Sequence, residues 1–149
     1  MNKKEDINLI KNVIKEIQES SSSDIDIRIG GSFGLCLQGE IFEYNNMDII
    51  VDDFSKINWQ LLNFGEILTE SLNGDIKVRS YLIEDTEINI RERITYYSYL
   101  VTNKIMKDGL ILENIEIINE AKEWLEYYWE TENLHPKCIE SLNLIRVLK

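Results

Sequence analysis

The stretch "DIDIRIGGSFGLCLQGEIFEYNNMDIIVDD", residues 24–53, constrains the fold more than any other part of the chain. "DIDIRI" alternates strictly, with Ile25, Ile27 and Ile29 on one face and Asp24, Asp26 and Arg28 on the other, the pattern of a half-buried strand whose polar face meets solvent. Gly30 and Gly31 then permit a tight turn, "SFGLCLQG" reads as a short helix bounded by glycines, and "MDIIV" is an apolar run of strand length. A strand, a glycine turn, a short helix and a second strand in immediate succession fit a sheet with helices packed on it.

The flanking segments extend that pattern. Ile7, Ile10, Val13, Ile14 and Ile17 recur at helical spacing, which predicts an amphipathic helix over residues 4–20 ended by "ESSSSD". Ile57, Leu61, Phe64, Leu68 and Leu72 fit a second helix that "NGD" terminates. "IKVRSYLI" and "EINIRE", separated by "EDT", form two extended runs joined at hairpin length. From about Thr95 onward the chain reads helical: "YYSYLVTNKIMKDG", then a helix carrying Ile115, Ile118, Leu125 and Tyr128, then "KCIESLNLIRVLK" after a break at Pro136. Alternating strands and helices predict an α+β (α/β) domain, a small mixed sheet with helices packed on it. The whole chain, 1–149, reads as one domain, with a core over 1–94 and a helical part over 95–149; its length and 44% hydrophobic content suit one core of ordinary size.

Charge bounds the partners. The formal net charge is −11, and the lysines and arginines are scattered, whereas nucleic-acid affinity comes largely from clustered cations at phosphates. This reading argues against nucleic acid as a partner. The acidic excess is densest in "ENIEIINEAKEWLEYYWETEN", which fits either a solvated helix face or a docking surface for a basic protein. Trp124 and Trp129 flank Tyr127 and Tyr128 there, a cluster that suits a protein contact and a homodimer through the C-terminal helices. No run of about eighteen apolar residues is present, and the N-terminal segment lacks the unbroken apolar stretch of a signal peptide, so a soluble, cytoplasmic protein is expected, with no membrane partner. Cys36 and Cys138 are too few and too far apart for a disulfide framework or a zinc site, and His135, with no partner histidine, reads as a surface residue.

"IRIGGSFGLCLQG" followed by "NNMDIIVDD", with the element order up to residue 92, resembles the nucleotidyltransferase superfamily. That superfamily includes DNA polymerase β, antibiotic nucleotidyltransferases and the minimal nucleotidyltransferases of toxin-antitoxin and abortive-infection systems. The resemblance implies a nucleoside triphosphate as substrate, Mg2+ as cofactor, and transfer of a nucleoside monophosphate to a hydroxyl of a protein or small molecule. Backbone amides at a helix start receive phosphates well; by resemblance Gly30, Gly31 and Ser32 take this role, although Gly30 and Gly31 equally suit a plain strand-to-helix turn.

The resemblance places two acids of a two-ion site at Asn46 and Asp48, so the second acid is present and the first is an amide. Alternate strand residues share a face, and a pair of divalent ions needs carboxylates there. A third ligand is implied from "EINIRE", where Glu87, Asn89 and Arg91 share a face and Ile88 and Ile90 point to the core; Glu87 and Asn89 both remain open as the counterpart. Asp52 shares a face with Asp48 and is a weak substitute. Asp24 and Asp26 match an acidic pair locally but precede the glycines, which makes them the solvent face of an ordinary strand. The basic residue that often precedes the acidic pair in the family is absent from "EIFEYNN". Three readings follow: a small nucleotidyltransferase using Asp48, Asn46 and Glu87; a degenerate member acting as a binding or regulatory module; and an unrelated α/β protein with an acidic interaction face.

Overall fold

The computed structural model describes residues 3–64, 66–71, 77–93 and 105–131. Helix α1 (Lys3–Glu19) leads into strand β1 (Ile27–Gly30), helix α2 (Gly31–Leu37) and strand β2 (Met47–Val51). Two single 3-10 turns, Phe54–Lys56 and Trp59–Leu61, precede strands β3 (Glu66–Ser71), β4 (Val78–Ile83) and β5 (Thr86–Glu92). Strands β6 (Ile105–Lys107) and β7 (Leu110–Leu112) and helix α3 (Ile115–Thr131) follow. Among the described residues the strands form a seven-stranded mixed sheet in the order β3-β4-β5-β2-β1-β7-β6. The β1–β2 pair is antiparallel, whereas β2–β5 and β1–β7 are parallel.

Strand periodicity decides which side of this sheet is core. Ile27 and Ile29 of β1, Met47, Ile49 and Val51 of β2, and Ile88 and Ile90 of β5 are all buried on one face. Ile10, Val13 and Ile17 of α1 and Phe33 and Leu37 of α2 join them in one cluster. Each such side chain, removed from water, contributes roughly 1.5–3 kcal/mol before the entropy of ordering is counted. The register pairs Ile49 with Ile29 on one side and with Ile90 on the other, so the apolar positions of three adjacent strands line up. Their alternate residues, Asp48 and Asn89 among them, are thereby turned to the opposite face.

Three expectations change. The apolar spacing over 57–72 does not make a helix: Ile57 forms an isolated bridge with Ser21, Trp59–Leu61 is a 3-10 turn, and Glu66–Ser71 is β3, paired antiparallel with β4. Leu61 is 65% exposed, so the spacing did not mark a buried stripe. The free edge of β4 offers unpaired backbone groups, and pairing there satisfies the donors and acceptors of β3. Leu72 and the "NGD" stop lie outside the described residues.

The helical reading beyond Thr95 also fails at 105–112, where β6 and β7 form a hairpin on the sheet edge and so extend the core past residue 94. Its turn is Asp108-Gly109 with φ of 53° and 78°, the positive values that a type I′ hairpin turn requires and that glycine adopts without penalty. Residues 94–104 and the segment "KCIESLNLIRVLK", with His135, Pro136 and Cys138, lie outside the described residues, as do the side chains of Trp124, Leu125, Tyr128 and Trp129. The last correction concerns β1. Arg28 is 4% exposed, not solvated, because Glu113 at the end of β7 stands beside it. Cys36 is buried and free, as expected.

Candidate active site

A cleft of about 680 Å³ lies on the polar face of the sheet. Gly31, Ser32, Asn46, Asp48, Ser80 and Asn89 contribute to one wall; Lys122, Glu126 and Glu130 of α3 contribute to another. Backbone pairing brings the first group together. Gly30 is opposite Asp48 in the β1–β2 register, Asp48 is opposite Asn89 in β2–β5, and Asn89 is opposite Ser80 in β4–β5.

Gly31 is where the turn and the acidic strand meet. Its φ is +59°, and a Cβ built there would stand 2.1 Å from Asp48 Oδ2. Both facts call for glycine: the left-handed backbone penalises a side chain, and the carboxylate already fills the space. Ser32 follows in α2, a helix of only two turns.

Asp48 and Glu87 are each held by an amide. Asn89 Nδ2 donates to Asp48 Oδ1 at 2.9 Å, and Ser80 Oγ donates to Asn89 Oδ1 at 2.5 Å. Asn46 Nδ2 donates to Glu87 Oε2 at 3.0 Å. Glu87 therefore joins Asn46, just ahead of β2, and Asn89 joins Asp48 on it. The loop that presents Asn46 is anchored behind it, since the Tyr44 hydroxyl donates to Asp6 of α1 and the Tyr44 ring stacks on Phe33 at 4.6 Å. Burial, together with the Asp6 carboxylate, pushes the Tyr44 phenol well above its ordinary range.

The remaining acidic residues go elsewhere. Asp52 takes Lys56 at 2.5 Å and the amide of Asp26 at 3.0 Å, so it is engaged away from Asp48. Asp24 is exposed and pairs with Lys56 at 3.3 Å. Asp26 is neither a cleft residue nor a freely solvated one. It accepts from Arg28 at 3.0 Å and from Arg93 at 2.9 Å, while Glu113 lies 3.7 and 3.6 Å from the same two guanidinium groups.

Among the lining residues, Ser80 and Lys122 escaped the sequence reading, and Arg91 was placed only by its strand face. Ser80 and Arg91 lie on the cleft side of β4 and β5, and Lys122 reaches the cleft from α3. The period-two alternation that placed Asn89 also placed Arg91 on its face. Lys122 is the single lysine among the glutamates of α3 and carried no spacing signal. Positive charge, absent ahead of Asn46 in sequence, thus enters the cleft from β5 and α3.

The donor chemistry is poor for a pair of divalent ions. Such a pair needs several carboxylates to offset its charge, and on the sheet side of the cleft Asp48 is flanked by two amides, Asn46 and Asn89. Among the described residues no group of three His, Cys, Asp or Glu could hold a metal ion.

No protein-family model matches the chain, and no curated protein matches it. Among solved structures, the crystal structure of a proposed nucleotidyltransferase from Thermotoga maritima superposes with a TM-score of 0.60, covering 89% of this chain and 91% of that one at 15% identity. At that identity the likeness shows the fold alone, a mixed α+β domain. No helix among the described residues is long and apolar enough to cross a membrane.

Proposed function

We propose that this chain binds a nucleoside triphosphate in the cleft and transfers its nucleoside monophosphate to a hydroxyl of a protein or small molecule. The observation that carries the reading is the seating of Asp48 against Gly31, in the cleft that Ser32 also lines. Phosphates approaching the Gly31–Ser32 backbone would lie beside the only β2 carboxylate facing the cleft. In the transfer, the acceptor oxygen bonds to the α-phosphorus, the bond to the bridging oxygen breaks, and pyrophosphate leaves with that electron pair. The hydroxyl proton passes to Asp48, the carboxylate that lines the cleft from the sheet. Arg91 and Lys122 supply positive charge to the polyphosphate. A divalent ion, when bound, supplies further charge compensation.

A second reading, a nucleotide-binding or regulatory module without transfer, is favoured by the amide partners of Asp48 and Glu87. The two separate in one assay. Labelled triphosphates of all four bases are incubated with the protein and Mg2+ or Mn2+, alone and with cell extract, and label is followed into any acceptor. Transfer lost in Asp48→Ala is the expected result, and transfer that survives it sinks the site. If neither the native protein nor Asn46→Asp transfers label, the binding-module reading stands instead.

A further inference from the structure

Ser80, Asn89 and Asp48 form a row across β4, β5 and β2, joined by the two hydrogen bonds described above. Chemistry fixes their direction. An ionised carboxylate only accepts, so Asn89 must turn its NH2 to Asp48; its carbonyl then faces Ser80, whose hydroxyl must donate. Ser80 is buried, 6% exposed, which holds the amide in that orientation. Two consequences follow for any cation in the cleft. Asp48 Oδ1 spends one of its lone pairs on an N–H, which makes Oδ2, the oxygen against Gly31, the more available of the two. The carbonyl oxygen of Asn89, the only atom of that amide able to ligate a hard cation, is turned into β4. At the other end of the cleft, Asn46 likewise spends its NH2 on Glu87.

We propose that Asn89, locked by Ser80, sets the ion stoichiometry of this cleft. It turns its own carbonyl away and draws on one oxygen of Asp48, so a triphosphate enters with a single divalent ion, the one it carries, and finds no place built for a second. Ions paired about 3.5–4 Å apart draw on a small set of neighbouring oxygens, and this row turns one of them away and hydrogen-bonds another. The inference rests on the triphosphate-binding reading and concerns Asn89 and Ser80 as positioning residues.

The test titrates Mn2+, a hard cation visible by electron paramagnetic resonance, into the full chain with a nonhydrolysable triphosphate whose own binding is followed by calorimetry. The native protein should bind one Mn2+ per bound triphosphate. Asn89→Asp should bind two, the second at least tenfold tighter than any second ion on the native chain. Ser80→Ala, which frees the amide to turn, should raise second-ion affinity in the same direction, and Ser80→Thr, which keeps the hydroxyl, should match the native protein. Circular dichroism verifies that each variant is folded, and the two Ser80 variants carry the test if Asn89→Asp is not. Triphosphate binding with two ions on the native protein, or with one ion on every folded variant, overturns the inference and leaves the triphosphate reading standing. Absence of triphosphate binding overturns that reading and the inference with it.

Discussion

At the residue scale the site turns on Gly31 and its contact with Asp48. Gly31→Ala places a methyl group where Asp48 Oδ2 now lies and forces a left-handed backbone on a residue with a Cβ. The backbone term alone costs about 1–2 kcal/mol, and Asp48 must move as well. Chemical denaturation of Gly31→Ala should therefore show at least that loss, together with weakened triphosphate binding by calorimetry. A stability within a few tenths of a kcal/mol of the native chain would contradict this geometry. Asn46→Asp acts in the opposite direction on function: it replaces an N–H donor by a second carboxylate beside Glu87. Divalent-ion affinity should rise, as read by Mn2+ titration, because added negative charge offsets that of the ion; unchanged affinity would place Asn46 outside any ion site.

At the element scale, α3 builds the wall opposite the sheet, and its start is defined by one side chain. Asn114 Oδ1 accepts from the backbone N–H of Glu116 at 2.8 Å, and the Asn114 carbonyl accepts from Ile118 at 2.9 Å, the geometry of an N-cap. Asn114→Ala should cost about 1 kcal/mol, measured by urea unfolding. Asn114→Ser should recover most of that loss, and equal losses in both variants would mean the side chain does not cap. Strand β1 depends on a different device. Asp26 neutralises Arg28 and Arg93, both largely buried, so Asp26→Ala removes the carboxylate nearest to the two guanidinium groups; Glu113 lies farther off, at 3.6 and 3.7 Å. Removing one partner of a buried ion cluster costs roughly 3–5 kcal/mol; Asp26 retains some exposure, so the lower end is expected.

Across the whole molecule, that cluster links stability to pH. Burial pushes the Asp26 carboxyl up, but hydrogen bonds and charges from Arg28 and Arg93 outweigh it and leave its pKa below the ordinary 3.8. A depressed folded pKa stabilises above the unfolded value, and the contribution is lost as pH falls through the folded one. Stability should therefore decline below about pH 4, and Asp26→Asn should flatten the decline; an unaltered acid limb would remove Asp26 from the linkage. The charge of −11 acts at the same scale. Binding to duplex DNA should be undetectable at about 150 mM salt, where counterion release gives an acidic surface no gain, and submicromolar binding in a titration would contradict this.

What the sequence determined by itself was local and periodic. Strict alternation fixed the faces of β1 and β5, so Asn89 and Arg91 were legible as one side and Ile88 and Ile90 as the other, while in the apolar run of β2 Asp48 alone marked the polar side. The glycine turn and the first helix were legible for the same reason: backbone freedom and the 3.6-residue repeat act between near neighbours. The Asp108-Gly109 turn was equally legible and was passed over, since "IMK" and "LIL" are too short to show alternation. Other features had no local signal. Residues 66–71 became a strand because β4 had an edge to pair, although the apolar spacing there fitted a helix. Arg28 became buried because β7 brought Glu113 beside it, turning an expected solvent face into an ion cluster. The partners of the site were decided in the same way: Asn46 with Glu87 and Asp48 with Asn89 are each 41 residues apart, and only parallel pairing of β2 with β5 makes them neighbours.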